Sequence, residues 1–280
     1  MIQVVDLFCG AGGFSTGATQ AGAEVVLAID HWEPALSVHE SNHPGTTHIQ
    51  MELGGDIEAT AELILSHLDS GVHFHLHGSP PCQAISVVRR GRDIDEGMRL
   101  VNWYLDLVDY MQPASWSMEQ VSAVARYLPS FLPHEVVNAA DYGVPQTRRR
   151  VIAGEGYTLS PTHEGSWISV RDALPDSIPP TFCVLNTDGC GPSSSRRAVS
   201  VDRCVDRPAK TIHNNQPSIR TRGRLSEFEV LGRLGLTDTA TLQGFPVDYD
   251  WSPAPKTDAW VMVGNAVCPP VAKAIVEGIA

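Results

Sequence analysis

The sequence predicts an α/β protein: a Rossmann-like, mixed and mostly parallel sheet with helices on both faces, carrying a small irregular lobe. Three observations predict it. Apolar runs alternate with amphipathic stretches from the first residues onward. A glycine-rich segment follows the first run directly. After residue 155 the composition turns to Pro, Ser, Gly, Thr and Asp, with short apolar pieces and no durable period.

Taken in order, residues 2–8 read as a strand, 14–21 as a helix, 25–29 as a strand and 35–40 as a helix. This βαβα order demands parallel strands joined by helical crossovers. Further strands are expected at 72–76, 116–118, 136–139 and 151–153, and a helix over 98–111 that stops near Pro113. Residues 156–224 read as a separate small domain. Helical periodicity returns from Leu225, and a last helix over 271–279 follows Pro269-Pro270, so 225–280 is expected to complete the domain begun by 1–155. On the strand near 72–76, His73, His75 and His77 would share one face. With no carboxylate companion, they are expected to be packing residues and not metal ligands.

A chain of 280 residues with 42% apolar content can bury one substantial core. The six cysteines, at 9, 82, 183, 190, 204 and 268, are too few and scattered for a disulfide scaffold, and no Cys-x2-Cys pair is present. Reduced thiols and no metal are expected. With no signal-like start and no apolar stretch of membrane-spanning length, a cytoplasmic protein without membrane partners is expected. The net charge of -12 is unevenly spread: residues 1–80 hold no Lys or Arg and ten acidic residues. Basic side chains gather at Arg89, Arg90 and Arg92, at Arg148, Arg149 and Arg150, and from Arg196 to Arg224. One acidic end and one basic face are implied, so the overall sign does not exclude a phosphate-bearing partner.

Four features carry chemistry. Asp6-Leu7-Phe8-Cys9-Gly10-Ala11-Gly12-Gly13 follows a strand and opens a helix, so backbone can approach a nucleotide-like ligand there, although a plain tight turn has the same pattern. Asp30 ends the second strand, where a carboxylate accepts from ribose hydroxyls or begins a helix. Gly78-Ser79-Pro80-Pro81-Cys82-Gln83 sets a thiol on a rigid turn beyond a strand end, as a nucleophile or as inert packing. Glu119 and the run Gln146-Thr147-Arg148-Arg149-Arg150 add a carboxyl, an amide and guanidinium donors near the same edge.

These segments, with Glu119-x-Val121, Tyr142-Gly143-Val144-Pro145-Gln146-x-Arg148-x-Arg150, Arg207-Pro208-x-x-Thr211, Leu242-Gln243-Gly244-Phe245-Pro246 and Gly264-Asn265-Ala266-Val267, resemble the DNA cytosine carbon-5 methyltransferase family over nearly the whole chain and in the family's order. The resemblance implies S-adenosylmethionine as cofactor. It assigns Cys82 as the attacking thiolate, Glu119 to the pyrimidine edge, and Arg150 with Arg148 to the cytosine carbonyl. It places Phe8, Gly10, Gly12, Asp30, Asp56, Ile57, Pro81, Leu100, Asn265 and Val267 around the cofactor, with His31 or Trp32 stacked on adenine. Gln83, Arg89, Arg90, Arg92, Gln146, Arg207 and Thr211 would face duplex DNA, from which the target cytosine is flipped.

Some positions depart from the pattern. Gln120 stands where Asn is usual, which is expected to loosen support of the Cys82 turn. Gly97 replaces an Arg, and 232–239 looks like an insertion. The short 156–224 interval, as the target-recognition domain, predicts few base contacts and a short or relaxed recognition sequence. A monomer in a bacterial or phage-infected cell, serving restriction-modification or self-marking, is the expected setting. Cytosine methylation of RNA or a free nucleotide, and a non-catalytic DNA-binding protein of the same fold, remain the alternatives.

Overall fold

A computed structural model describes residues 2–81, 94–181, 183–187, 203–213, 216–222 and 228–279. Strands β1 (Gln3–Leu7), β2 (Glu24–Asp30), β3 (Thr47–Gln50), β4 (Phe74–Gly78) and β5 (Ser115–Val121) run parallel, and β6 (His134–Asn138) and β8 (Arg149–Glu155) complete the sheet. The order is β3-β2-β1-β4-β5-β8-β6, with β8 antiparallel to both neighbours. The strand order reverses between β1 and β4. In open α/β sheets that switch point, outside the carboxyl ends of the strands, is where ligands bind.

Both faces are covered, which explains why every residue of β1 is buried. Val5 and Leu7 face one way, joining Leu27, Ile29, Leu76 and Met118 in a core closed by helices α3 (Ile57–Leu65) and α4 (Ile94–Met111). Val4 faces the other way with Val25 and Ile152, under α1 (Gly13–Gln20) and α8 (Pro269–Glu277). Gly13 and Gly17 let α1 and α8 meet: a Cβ on Gly17 would lie 2.2 Å from the Pro269 carbonyl oxygen. The acid-rich α2 (Glu33–Asn42) packs near the sheet's far edge.

The expected histidine strand is shifted. β4 starts at Phe74, because its register is set by pairing Phe74 to Gly78 with Gln3 to Leu7, and His73 lies exposed before it. His75 and His77 are fully buried, as hydrogen-bond partners of Ser115 and Ser117, and His77 stacks on Phe14 at 3.5 Å.

The second lobe carries a four-stranded antiparallel sheet in the order β10 (Arg203–Cys204), β9 (Val184–Asn186), β12 (Ser218–Arg222), β13 (Phe228–Arg233). Leu174, Ile178, Leu185, Ile212 and Ile219 form its core, with α5 (Val170–Ala173) capped by Ser169 and Asp172. The helix expected from Leu225 is not what forms. Residues 228–233 pair with β12 as a strand, and helix starts only at α6 (Leu236–Gln243). A boundary at 224 would cut this hairpin; Gly232 weakens a helix there, and the strand partner supplies what local pattern does not. At the other end, Thr158 donates to the Gly278 carbonyl at 2.9 Å, so the chain beyond 155 still lies on the main domain. A short strand, β11 (Ala209–Lys210), returns to pair with β7 (Gln146–Thr147), and α7 (Lys256–Asn265) precedes α8.

Candidate active site

The crevice beyond β1 and β2 is built from a turn that few side chains tolerate. Phe8, Gly10 and Gly12 all have positive φ, at 57°, 53° and 88°. For Gly10 and Gly12 this conformation is free of Cβ cost; for Phe8 it is stored strain of the kind that clusters at ligand sites. Asp30 closes the turn from β2: its carboxylate accepts from the amides of Gly10 and Trp32, each at 2.9 Å, and His31 sits 3.1 Å away with its ring mostly exposed. Trp32 instead packs toward the cluster of Phe245, Tyr249 and Trp251.

The far wall of the crevice is tied to α4. Trp103 meets Phe8 edge to face at 6.1 Å, and its indole N–H donates to the Gly55 carbonyl at 2.8 Å. Leu100 presses on Gly54, where an added Cβ would lie 2.5 Å from its methyl. Asp56 caps α3 through the Ala59 amide at 3.1 Å, which occupies one carboxylate oxygen, and Ile57 is partly buried behind it. A Cβ on Gly10 would meet no atom within 4 Å. A strained aromatic, an acid held by backbone amides and open space at the glycine between them fit a nucleoside-bearing cofactor. Trp103 was not anticipated; its place one helical turn beyond Leu100 was the available signal.

At the adjacent strand ends, Ser79 donates from its amide to the Leu7 carbonyl at 3.2 Å and from its hydroxyl to the Phe8 carbonyl at 2.9 Å. The Gln120 side-chain amide donates to the Pro80 carbonyl. Gln120 therefore supports this turn and does not loosen it as expected: its longer side chain still reaches. Pro81 is the last described residue of the turn. Cys82, Gln83, Arg89, Arg90 and Arg92 lie outside the described residues. Glu119 on β5 is 8% exposed, and Arg150 on β8 reaches it diagonally, Nε to Oε1, at 2.9 Å. The pair opens on a small hollow lined also by Val137, Arg148, Val267, Cys268 and Val271. Burial pushes the Cys268 thiol up to about 11, and burial with the nearby Asp6 and Asp30 charges raises Cys9 as well. Neither supplies a thiolate at neutral pH.

Two further residues of the expected contact set are held by the protein's own groups. Gln146 is fully buried: it donates to the Leu242 carbonyl and to Gln243, at 3.2 and 2.7 Å, and accepts from the Ile212 amide at 2.8 Å. Arg148 is 1% exposed, and its two Nη groups donate to the carbonyls of Ile212, Gly264 and Ala266. The alternation of Gln146, Arg148 and Arg150 suggested one ligand-facing row, but the chain passes from β7 to β8 between them and only Arg150 reaches Glu119. Arg207 is exposed, Thr211 donates to the Thr147 carbonyl at 3.2 Å, Asn265 is exposed and Val267 is buried. Gln243, a further member of this network, was missed.

Sheet order, crevice and strand ends together define an α/β protein of the Rossmann-like class with a ligand crevice at its switch point. A family model described as C-5 cytosine-specific DNA methylase matches residues 2–127 and 187–280. The chain belongs to that family. It is similar to the type II methyltransferase M.HgiDI of Herpetosiphon aurantiacus, 28% identical with 95% of this chain and 90% of that protein covered. It is also similar to M.MthTI of Methanothermobacter thermautotrophicus, at 27% identity with 95% and 93% covered. Among solved structures, a prophage-encoded putative DNA modification methyltransferase of E. coli superimposes with a TM-score of 0.66 at 19% identity, covering 99% of this chain and 98% of that one. S. pombe Dnmt2 gives the same TM-score at 16% identity, covering 99% and 98%; at these identities both report on the fold alone. The chain is a DNA (cytosine-5-)-methyltransferase, of a family that uses S-adenosylmethionine and passes through a covalent cysteine adduct.

Proposed function

We propose that Cys82 is the nucleophile, that Glu119 and Arg150 hold the target cytosine, and that the crevice around Phe8, Gly10 and Asp30 holds S-adenosylmethionine. One observation carries the reading: the Glu119–Arg150 pair stands 2.9 Å apart, and Gln120, the next residue on β5, anchors with Ser79 the proline turn that immediately precedes Cys82 in sequence. The cofactor would supply an electrophilic methyl group. Asp30 would accept from its ribose hydroxyls, the free oxygen of Asp56 from the adenine amino group, and the exposed ring of His31 would lie over the adenine. Gly12, Ile57, Pro81, Leu100, Asn265 and Val267 would line the rest.

Cytosine carbon 5 attacks only after a thiolate adds at carbon 6 and makes the ring an enamine. Glu119, sharing a proton with ring nitrogen 3, offsets the negative charge that forms, and Arg150 stabilises it at the carbonyl oxygen. After carbon 5 takes the methyl group, a base removes its proton and the electron pair expels the Cys82 thiolate, restoring the 5,6 double bond. A stacked base hides carbon 6, so the substrate is a flipped cytosine of duplex DNA, at a cost of a few kcal/mol. Gln83, Arg89, Arg90 and Arg92 would meet it and its phosphates, with Arg207 and Thr211 on the lobe side. The enzyme would act as a monomer on a short target, in a restriction-modification setting.

The test is covalent trapping. A duplex carrying 5-fluorocytosine should give an adduct of enzyme plus DNA by mass spectrometry, with S-adenosylmethionine present. Cys82→Ala should abolish it and Glu119→Gln should slow it by 100-fold or more, within the roughly 10²–10⁴-fold of acid–base help. An adduct undiminished in Cys82→Ala would refute the assignment.

A further inference from the structure

We infer that Arg148 is a positioning residue that builds the cofactor side of the site, by clamping the turn after α7 with the help of Gln146 and Gln243. The inference rests on the reading above that Asn265 lines the cofactor pocket.

A buried guanidinium is costly unless its donors are met. Three of its partners are main-chain carbonyls from two distant segments: Ile212 at 3.3 Å through Nη1, and Gly264 and Ala266 at 3.0 and 3.2 Å through Nη2. Gly264 and Ala266 lie at the carboxyl end of α7, where helix carbonyls have no intrahelical donors and the helix dipole favours a cation. Gln243 donates to the same Ala266 oxygen at 2.8 Å. Gln146 in turn donates to Gln243 and accepts from the Ile212 amide. Every side chain of this set is essentially inaccessible to solvent.

The turn so held has a defined neighbour. Asn265 sits between the two clamped carbonyls and is the exposed residue of the three. Two residues on, the Val267 carbonyl faces Gly13, the residue that opens α1 after the glycine loop; a Cβ there would fall 2.2 Å from that oxygen. Moving the 264–267 turn therefore moves the wall behind Gly10 and Gly12. Arg148 has its own backbone fixed as well, accepting from the Ala139 amide at 2.9 Å and donating to the Gln146 carbonyl at 3.0 Å. Bidentate reach to separated carbonyls is a property of the planar fork that a lysine ammonium reproduces only in part.

The test measures cofactor and DNA affinity separately. Dissociation constants for S-adenosylhomocysteine are taken by calorimetry on Arg148→Lys, Arg148→Met, Gln243→Leu and Asn265→Ala, with KM for DNA and the trapping rate at saturating cofactor. Arg148→Met should weaken cofactor binding at least tenfold and Arg148→Lys by less, with KM for DNA within twofold of wild type. Gln243→Leu, which stays apolar and removes one donor to Ala266, should weaken it about threefold and decides the matter where the Arg148 variants do not fold. An unchanged cofactor constant in both positions, or a raised KM for DNA with cofactor binding intact, overturns the inference and returns Arg148 to the substrate. An unchanged constant in Asn265→Ala sinks the pocket reading itself.

Discussion

Lowering the pH from 7 to 5 should destabilise this enzyme through its buried histidines. His75 is held down to about 3 and His43 to about 4 by burial, and His39 and His77 lie well below the ordinary 6.5, again chiefly because burial disfavours the charged ring. A ring kept neutral in the fold binds no proton, whereas the unfolded chain binds one below pH 6.5. The stability of the neutral state is thus complete above pH 6.5 and is lost as pH falls toward the folded values. At pH 5 His75 and His43 cost about 2 kcal/mol each, and His39 and His77 act in the same direction. Asp6 works in the opposite sense. Burial raises it from 3.8 to about 7, against the Ser15 hydroxyl that donates to it at 2.6 Å, so its folded-state cost is relieved as pH drops and returns about 2 kcal/mol between pH 7 and 5. His75 and His43 alone exceed this return by about 1–2 kcal/mol, and His39 and His77 widen the loss, against the roughly 5–15 kcal/mol of an ordinary domain. Urea titrations followed by tryptophan fluorescence at pH 7.5, 6 and 5 read this directly. Below pH 6 the unfolding free energy should fall by about 1 kcal/mol per pH unit or more, a net uptake of at least about one proton. His75→Gln, which preserves partners for Ser115 and Ser117, should remove about one. Equal midpoints at pH 7.5 and 5, or greater stability at 5, would refute the reasoning.

Other perturbations probe packing and site separately. Gly17→Ala pushes a methyl into the Pro269 carbonyl and the Ala272 side chain, so α1 and α8 must part; about 1–3 kcal/mol or more of stability should be lost in denaturant titrations. Gly10→Ala meets open space instead and should cost only about 1–2 kcal/mol of backbone strain while weakening S-adenosylhomocysteine binding tenfold or more by calorimetry. Asp30→Ala, which strips the acceptor from the Gly10 and Trp32 amides, should weaken the same binding with KM for DNA unchanged. Gln120→Leu frees the Pro80 carbonyl and should slow fluorocytosine trapping without altering cofactor affinity. An unaltered trapping rate would show that the turn holds itself.

The parts legible in the sequence are those that local physics determines. The strand, glycine turn and helix from Gln3 to Gln20 declare themselves through apolar periodicity and through residues that alone permit positive φ. The proline turn beyond β4 and the acid that ends β2 are readable for the same reason, since each sits where a short pattern stops, whereas Glu119, just past the strand expected over 116–118, lies inside β5. What tertiary structure decided is which donors meet which acceptors. Arg148 and Arg150 belong to one motif, yet one serves three buried carbonyls and the other Glu119, because the antiparallel register of β8 on β5 and the end of α7 determine the partners within reach. Likewise residues 228–233 become strand and not helix only because β12 offers unpaired backbone beside them. Local sequence determines which groups want to be buried or turned; only the packed chain determines where the desolvated polar groups find each other, since those partners come from segments far apart in sequence.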